Sequence, residues 1–237
     1  MIINKAVSGR TEVYMKQIEL DQVLPSEIER RSFEIIQEEL EAMGKKLEED
    51  QAPIIKRTIH TTADFSYADN LIFSLHAVEK GLEALKEGAV IITDTNMGLA
   101  GINKKRLASL GGEAFCFMAD KDVEEKARAR GTTRALASME KAADLFGRGG
   151  VSRPILFAIG NAPTALIHLY QLIKEGRIAP SLIIGAPVGF VNVVQSKELI
   201  LTLEHTSYIV ARGRKGGSNV AAAICNALLY QLPGYNQ

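Results

Sequence analysis

Short apolar runs alternate with helical patterns along most of this chain. Runs typical of strands buried on both faces of a sheet lie at 89–93, 114–118, 155–159, 182–185 and 208–211. Apolar positions recur at helical spacing at 67–87, 122–147, 162–175 and 218–232. Gly131 and Thr132 are expected to divide the second of these stretches into two helices. This alternation predicts a three-layer α/β sandwich with a mainly parallel sheet of about five strands.

The first sixty residues follow a different pattern. Residues 25–50 form a charged amphipathic stretch that predicts an N-terminal helical extension, with Ser26 as N-cap and Glu29 three positions later. Residues 1–24 are irregular and are expected to form an arm that packs on a partner. There is no internal repeat and no long Pro-, Gly- or Ser-rich linker, so residues 1–237 are expected to form a single domain.

Charge and composition narrow the classes of function. The 237 residues are 46% hydrophobic and 24% charged, and 28 basic residues balance 28 acidic ones. A net charge of zero argues against nucleic-acid and membrane-surface proteins, which need a basic excess. The sequence has no signal-peptide pattern and no apolar run of membrane-spanning length, so a cytoplasmic protein is expected. Cys116 and Cys225 lie in apolar stretches and are expected to be buried, reduced thiols.

Small, polar and cationic residues follow four of the predicted strands, at 94–97, 160–164, 186–190 and 212–218. Ligands of parallel sheets bind beyond the carboxyl ends of the strands, so these four segments are expected to form one site. The candidate ligand-binding residues in them are Asn96, Gly160, Asn161, Ala162, Pro163, Thr164, Pro187, Gly189, Arg212, Arg214, Gly216 and Gly217.

Two of the four segments carry more specific signals. At 160–164, a tight turn with Pro163 near the start of a helix is expected to aim free backbone N–H groups at a ligand, the alternative being an ordinary connection. At 212–218, two arginines and a lysine lie among three glycines ahead of a helix. This arrangement favours an anion site over a solvated basic turn. The 212–218 segment matches no nucleotide-binding glycine motif.

His60 is the candidate acid–base residue, because imidazole titrates near neutral pH and can donate and accept a proton within one turnover. The neighbouring hydroxyl groups of Thr61 and Thr62 could orient the imidazole, and Arg57 is a candidate anion clamp. On its own, His60 has a plain alternative as a surface or core histidine without chemistry.

The other titratable residues are expected to have structural roles. His76, His168 and His205 have no companions at metal-ligand spacing, so no metal site is expected, and no nucleophile motif is present. The carboxylates that could pair with Arg57 or cap helices are Asp64, Asp69 and Asp94.

Five sequence segments together resemble one protein family. They are RTIHTTADFSYADNLIFS, TDTNMGLAGI, IGNAPTAL, GAPVGFVNVVQSKE and ARGRKGGSNVAAA, in this order. The chain from about residue 30 to about residue 229 is similar to the precorrin-8X / cobalt-precorrin-8 methylmutases of cobalamin biosynthesis. The sequence after His60, TTADF, resembles the cobalt-containing branch of that family.

The resemblance implies an activity and a set of site residues. The family moves the ring-C methyl group of a late corrin precursor from C11 to C12, giving hydrogenobyrinic acid or its cobalt form. It implies an α/β sandwich and a homodimer with active sites near the subunit interface, with no redox or nucleotide cofactor and any cobalt carried within the substrate. The family's catalytic histidine matches His60, and a substrate-contacting serine matches Ser32. An arginine of the family's Asn-Thr-Arg stretch matches Arg134, although Thr132 stands here in place of the asparagine.

The chemistry predicted from the residues agrees with this resemblance. A macrocycle with acetate and propionate arms needs scattered cationic sites, which Arg57, Arg134, Arg212, Arg214 and Lys215 offer. The alternatives are a corrinoid carrier that does not catalyse, and an unrelated α/β enzyme acting on a phosphorylated metabolite. Neighbouring enzymes of the corrin pathway are further candidate partners.

Overall fold

The fold is described here from a computed structural model, which covers residues 23–147, 150 and 153–234. A short 3-10 helix, Pro25–Glu27, precedes the helices α1 (Ile28–Ala42), α2 (Ala52–Thr62), α3 (Tyr67–Asn70), α4 (Ala77–Lys86), α5 (Asn96–Gly101), α6 (Lys104–Ser109), α7 (Lys121–Arg130), α8 (Arg134–Phe146), α9 (Pro163–Lys174), α10 (Val193–Leu201) and α11 (Ser218–Tyr230). The strands are β1 (Leu71–Phe73), β2 (Val90–Thr93), β3 (Glu113–Phe115), β4 (Ile155–Ile159), β5 (Leu182–Gly185) and β6 (Tyr208–Ala211). The predicted arm at 1–24 lies outside the described residues except for its last two positions.

The strands form one mainly parallel sheet in the order β1-β6-β5-β4-β2-β3. Strands β2 to β6 pair in parallel. Strand β1 is an outermost strand of the sheet and pairs antiparallel with β6. Within the described ranges the sheet therefore has six strands in place of the predicted five. Crossover helices between parallel strands place the carboxyl ends of β2, β4, β5 and β6 at one edge of the sheet.

Strand β1 shows that the single helix predicted at 67–87 is wrong at 71–76, between two helical segments. Leu71 lies opposite Ala211 of β6, and helices α3 and α4 occupy only the flanks of this stretch. Three residues are too few to show the alternation of a strand. The apolar positions Leu71 and Phe73 therefore continue the helical spacing of the following segment by coincidence.

Each face of the sheet carries its own hydrophobic core. Ile91 and Ile184 belong to the core shared with α2, α4 and α11. Their chain neighbours Ile92 and Ile183 belong to the opposite core, which is shared with α7, α8 and α9. Successive strand residues point to opposite faces, and here both faces are covered by helices. The predicted three-layer α/β sandwich is confirmed.

The N-terminal helix is confirmed, but its predicted limits are wrong. Helix α1 begins at Ile28, after the 3-10 turn, and its N-cap residue is Glu27 with no side-chain hydrogen bond, so Ser26 is not the cap. The helix ends at Ala42, not near residue 50, because Gly44 adopts a left-handed backbone with φ of 68°.

Helix α2, which carries His60, is absent from the sequence prediction. Pro53 lies in its first turn, and Ile54, Ile55, Thr58 and Ile59 form its buried face. These residues cover a narrow apolar face between charged neighbours, which is a weak helical pattern. His60 lies in the last turn, just beyond the buried face, and its side chain is exposed.

The predicted division of 122–147 into two helices is confirmed. Helix α7 ends at Arg130, where Gly131 has a φ of 62°. Helix α8 begins after Thr133, whose hydroxyl oxygen accepts a hydrogen bond from the N–H of Leu136 at 3.2 Å. Arg134 is therefore the first residue of a helix.

Candidate functional site

The four segments that follow β2, β4, β5 and β6 lie against one another. The hydroxyl oxygens of Thr95 and Ser218 are 2.7 Å apart, and the N–H of Gly217 donates to the carbonyl oxygen of Ala186 at 2.8 Å. A side chain at Gly160 would lie 2.5 Å from the Cα of Ser218, so this close approach requires glycine. We call residues 94–97, 160–164, 186–190 and 212–218 together the four-segment cluster. Its formation is observed, whereas its binding of a ligand stays a prediction.

Asp94 determines the conformation of the 160–164 segment. Its carboxylate, which is 1% exposed, accepts hydrogen bonds from the N–H groups of Gly160, Asn161 and Ala162 at 2.8, 2.8 and 2.6 Å. The prediction that these N–H groups are free for a ligand is therefore wrong. Burial raises the pKa of Asp94, while the three donors act in the opposite direction. The sequence shows an acidic residue directly after a buried strand, but not that its partners lie about 66 residues away.

The other polar residues of the cluster take varied positions. Asn96 is exposed in the first turn of α5, Asn161 is exposed after β4, and Pro187 is buried. The hydroxyl oxygen of Thr164 lies 3.0 Å from that of Thr133, which brings the first turn of α8, with Arg134, beside the 160–164 segment. Gly189 donates its N–H to the carbonyl oxygen of Arg214 at 3.2 Å.

Most of the predicted anion-binding cations pair with carboxylates of the protein itself. The guanidinium of Arg212 binds both carboxylate oxygens of Glu198, at 2.9 and 3.1 Å. Arg134 binds Glu124 at 2.9 Å, and Lys215 binds Asp64 at 2.6 Å. These pairs are largely exposed, and exposed pairs contribute only about 0–1 kcal/mol, so a bound carboxylate can replace them at small cost.

Arg214 differs from these cations. Its guanidinium carbon lies 5.5 Å from the ring centroid of Phe190, and within the described part of the chain no carboxylate lies in ion-pair range of it. The side chain of Phe190 is 80% exposed. The two residues therefore present a cation and an aromatic ring together on the surface of the cluster.

His60 belongs to a second group of residues, whose members lie on α1, α2 and α11. Its imidazole stacks on the ring of Phe33 with the centroids 5.2 Å apart and the planes 22° apart. The guanidinium of Arg57 lies 4.7 Å from the Phe33 centroid and 5.1 Å from that of Tyr230, and it pairs with Glu29. Aromatic and cationic contacts thus hold the helix end that carries His60.

The threonines beside His60 do not orient the imidazole. The hydroxyl of Thr61 donates to the carbonyl oxygen of Arg57 at 2.9 Å, and that of Thr62 donates to Thr58 at 2.8 Å. Both bonds lie within α2, so the sequence-based expectation about these hydroxyls is wrong. The hydroxyl of Ser32 likewise donates within α1, to Ile28 at 2.8 Å. Phe33 is the neighbour that sets the plane of the His60 ring.

A cavity of about 620 Å³ lies next to this group. Phe33 and Arg57 border it on one side, and Tyr230 of α11 borders it on another. Its lining combines apolar surface with the charged side chains of Arg30, Lys56 and Arg57, which suits a ligand with an apolar body and ionised arms.

The segment after α2 connects this group to the four-segment cluster. Lys215 binds Asp64 and also donates to the hydroxyl oxygen of Ser66 at 2.9 Å. The N–H of Arg212 donates to the carbonyl oxygen of Asn70 at 2.8 Å. Hydrogen bonding to Lys215 lowers the pKa of Asp64, as an ion pair requires. Of the carboxylates expected to pair with Arg57, none does, because Glu29 takes that place.

Other residues agree with their predicted structural roles. His168 lies within α9 and its Nδ1 is 3.0 Å from Gln171, while His76 begins α4 and pairs with Glu79. Cys225 is fully buried, and burial raises its pKa to about 12. Cys116 is only half-buried, so its predicted burial is wrong, although partial burial still raises its pKa. Both thiols therefore stay protonated near neutral pH.

Sequence reasoning missed Lys197 altogether. This residue of α10 is fully buried, and its ammonium donates to the carbonyl oxygens of Gly213 and Lys215 at 2.8 and 2.7 Å. The pattern around α10 gives some indication, since Val193, Ser196 and Ile200 place position 197 on the buried face. The identity of its partners depends on the tertiary structure.

The described residues contain neither a membrane-spanning helix nor a cluster of metal-binding side chains. None of the helices there is long and apolar enough to cross a membrane. In the same ranges, no group of three or more His, Cys, Asp or Glu side chains is arranged to hold a metal ion.

Comparison with known proteins identifies the family. Residues 27–231 match the family model described as precorrin-8X methylmutase. The chain is 43% identical to the cobalt-precorrin-8 methylmutase of Priestia megaterium, over 87% of this chain and 88% of the relative. It is 48% identical to that of Salmonella typhimurium, over 76% and 80%. The crystal structure of the Thermus thermophilus precorrin-8X methylmutase superposes with a TM-score of 0.76 at 38% identity, over 86% of this chain and 94% of that one. The chain therefore belongs to the precorrin-8X methylmutase family of isomerases.

Proposed function

We propose that this protein is a methylmutase that moves the ring-C methyl group of cobalt-precorrin-8 or precorrin-8X from C11 to C12, with His60 as the acid–base residue. The observation that carries the proposal is the exposed imidazole of His60, stacked on Phe33 beside Arg57 within the range that matches the family. The relatives at 43% and 48% identity are named for the cobalt form. We therefore expect this chain to prefer the cobalt-containing substrate.

The proposed chemistry needs only one proton donor. Protonation of the conjugated macrocycle by His60 withdraws electron density from C12, the carbon that accepts the methyl group. The bond between C11 and the methyl group then breaks as the bond to C12 forms, and the methyl group carries its electron pair. Return of the proton to His60 restores the neutral ring system. Atoms and electrons balance within the substrate, so no hydride, nucleophile or separate oxidant is required.

The substrate's carboxylate arms are proposed to bind the cations of both groups. Exposed arginines such as Arg134, Arg212 and Arg214 offer bidentate or point-charge contacts. The carboxylates that now pair with Arg134 and Arg212 are exposed and are displaced at small cost. Ser32, next to Phe33, is proposed to contact the substrate near His60. We also propose that two chains form a homodimer, because Phe190 and Val191 are both 80% exposed.

The test is a visible-absorption time course of the purified protein with each substrate form. We expect catalytic conversion by the wild type and at least about 100-fold lower turnover for His60→Ala, because proton transfer by a positioned side chain contributes about that much or more. The matched control is His205→Ala, since His205 is exposed outside the helices and strands. Wild-type turnover in His60→Ala would disprove the role of His60. A stoichiometric spectral change, equal in all three proteins, would indicate a corrinoid carrier.

A further inference from the structure

A buried lysine donates hydrogen bonds to the backbone of the cationic segment of the four-segment cluster. Lys197 has 0% exposure, and its ammonium donates to the carbonyl oxygens of Gly213 and Lys215. Among the described residues, no carboxylate lies within ion-pair range of it. Burial without a counter-ion disfavours the charged form and lowers the pKa of Lys197 to about 8. An apolar side chain of this length would avoid that cost, so stability alone does not account for a lysine here.

The two bound carbonyl groups fix the direction of two peptide planes. In a trans peptide the C=O and the following N–H point in opposite directions. When the carbonyl oxygens of Gly213 and Lys215 point inward to Lys197, the N–H groups of Arg214 and Gly216 point away from it. In the part of the chain that the structure describes, neither N–H has an acceptor.

The glycines of this loop make that arrangement possible. Gly213 and Gly216 have φ values of 83° and 157°, a region that other residues rarely adopt. Two outward N–H groups beside exposed cations can bind an anion together, and Arg212, Arg214 and Lys215 supply the cations. A carbonyl oxygen turned to the same side would repel an anion.

From this geometry we infer that Lys197 is a positioning residue, which keeps the loop 212–217 in the conformation that binds a carboxylate arm of the substrate. Lys197 itself is buried and does not touch the substrate. This inference rests on the proposed function and deepens it. It assigns the carboxylate-binding conformation of the loop to a single side chain on α10.

The first experiment measures binding and turnover separately in Lys197→Met. Methionine fills the same space but leaves both carbonyl groups without a donor. We expect two constants to rise about tenfold, which is the scale of one or two lost hydrogen bonds. They are the KM for cobalt-precorrin-8 and the Kd for its product cobyrinic acid, which is measured by visible absorption. The kcat should change by less than about threefold, because the loop binds and does not react.

Two further variants separate positioning from general loosening of α10. Ser196→Ala is the matched control, since Ser196 is the buried neighbour of Lys197 and its hydroxyl donates within α10, to Val193. It should leave Kd and KM unchanged. Lys197→Gln keeps a donor on a shorter side chain and should give intermediate values of both. Values for Lys197→Met equal to those for Ser196→Ala, or a fall in kcat alone, would overturn the inference.

A measurement on the wild type covers the case in which Lys197→Met does not fold. Cobyrinic acid should slow hydrogen exchange at the N–H groups of Arg214 and Gly216, and unchanged exchange at both would overturn the inference. Failure of the proposed function looks different. In that case the wild type neither converts cobalt-precorrin-8 nor binds cobyrinic acid.

Discussion

Asp94 and Lys197 are buried ions of opposite charge with comparable roles. Each binds backbone groups of a segment that follows a parallel strand, Asp94 through three N–H groups and Lys197 through two carbonyl oxygens. A charged partner makes a stronger hydrogen bond than a neutral one, so a loop without regular structure obtains a defined conformation. The residues that shape the candidate site are thus not those that face the ligand.

Replacement of Asp94 by asparagine is expected to damage the turn at 160–162. The asparagine oxygen can accept from some of the three donors, but its NH2 group would face a buried N–H and leave it without a partner. We expect a loss of about 1–3 kcal/mol in the free energy of unfolding, measured by urea denaturation. The KM should also rise, since Gly160 packs directly on Ser218.

The control for this substitution is Asp69→Asn. Asp69 is exposed and forms an exposed ion pair with Lys45, so its loss should cost less than about 1 kcal/mol. If Asp94→Asn were no more destabilising than Asp69→Asn, the carboxylate would not organise the turn.

Elements with strong local patterns are predicted well from this sequence. The strands β4, β5 and β6 match their predicted bounds, because each is a continuous buried run. Strand β1 and helix α2 are not predicted, because β1 depends on pairing with β6 and α2 has a narrow apolar face. The partners of Arg212, Asp94 and Lys197 lie 14 to 68 residues away, so local patterns carry no information about them.

The contact between α10 and the loop 212–217 predicts a pH dependence of stability. Burial lowers the pKa of Lys197 to about 8 from 10.5. Between these values the unfolded chain holds a proton that the folded chain has lost, so the free energy of unfolding rises with pH in this window. Relative to Lys197→Met, the wild type should gain about 2 kcal/mol between about pH 7.5 and about pH 10.

Urea denaturation of both proteins at the two pH values measures this gain. Other groups titrate equally in the two proteins, and their effects cancel in the difference. Ser196→Ala should keep the gain of the wild type, because it retains Lys197. If the free energy of unfolding changed equally with pH in the wild type and in Lys197→Met, Lys197 would have the same pKa in the folded and unfolded chains.

At the scale of the whole molecule, the surfaces at the carboxyl and amino ends of the parallel strands differ in their exposed apolar side chains. The carboxyl ends of the parallel strands carry Val188, Phe190 and Val191, which are 47%, 80% and 80% exposed. The opposite edge carries Leu75, which is 84% exposed and follows the end of β1 near the start of β6, and Leu145 at the end of α8 is 44% exposed. Apolar side chains close together in sequence and space are typical of an association surface, whereas separate ones are ordinary.

The proposed homodimer is expected to use the carboxyl-end surface. Light scattering after size exclusion should give twice the chain mass of 25.8 kDa for the wild type. Val191→Asp should shift the mass toward that of one chain, because a carboxylate would lose its hydration in the interface. Leu75→Asp introduces the same charge at an equally exposed position on the opposite edge and should leave the dimer intact. A dimer that survives Val191→Asp but not Leu75→Asp would place the interface at the other edge, and a wild-type mass of one chain would contradict the homodimer.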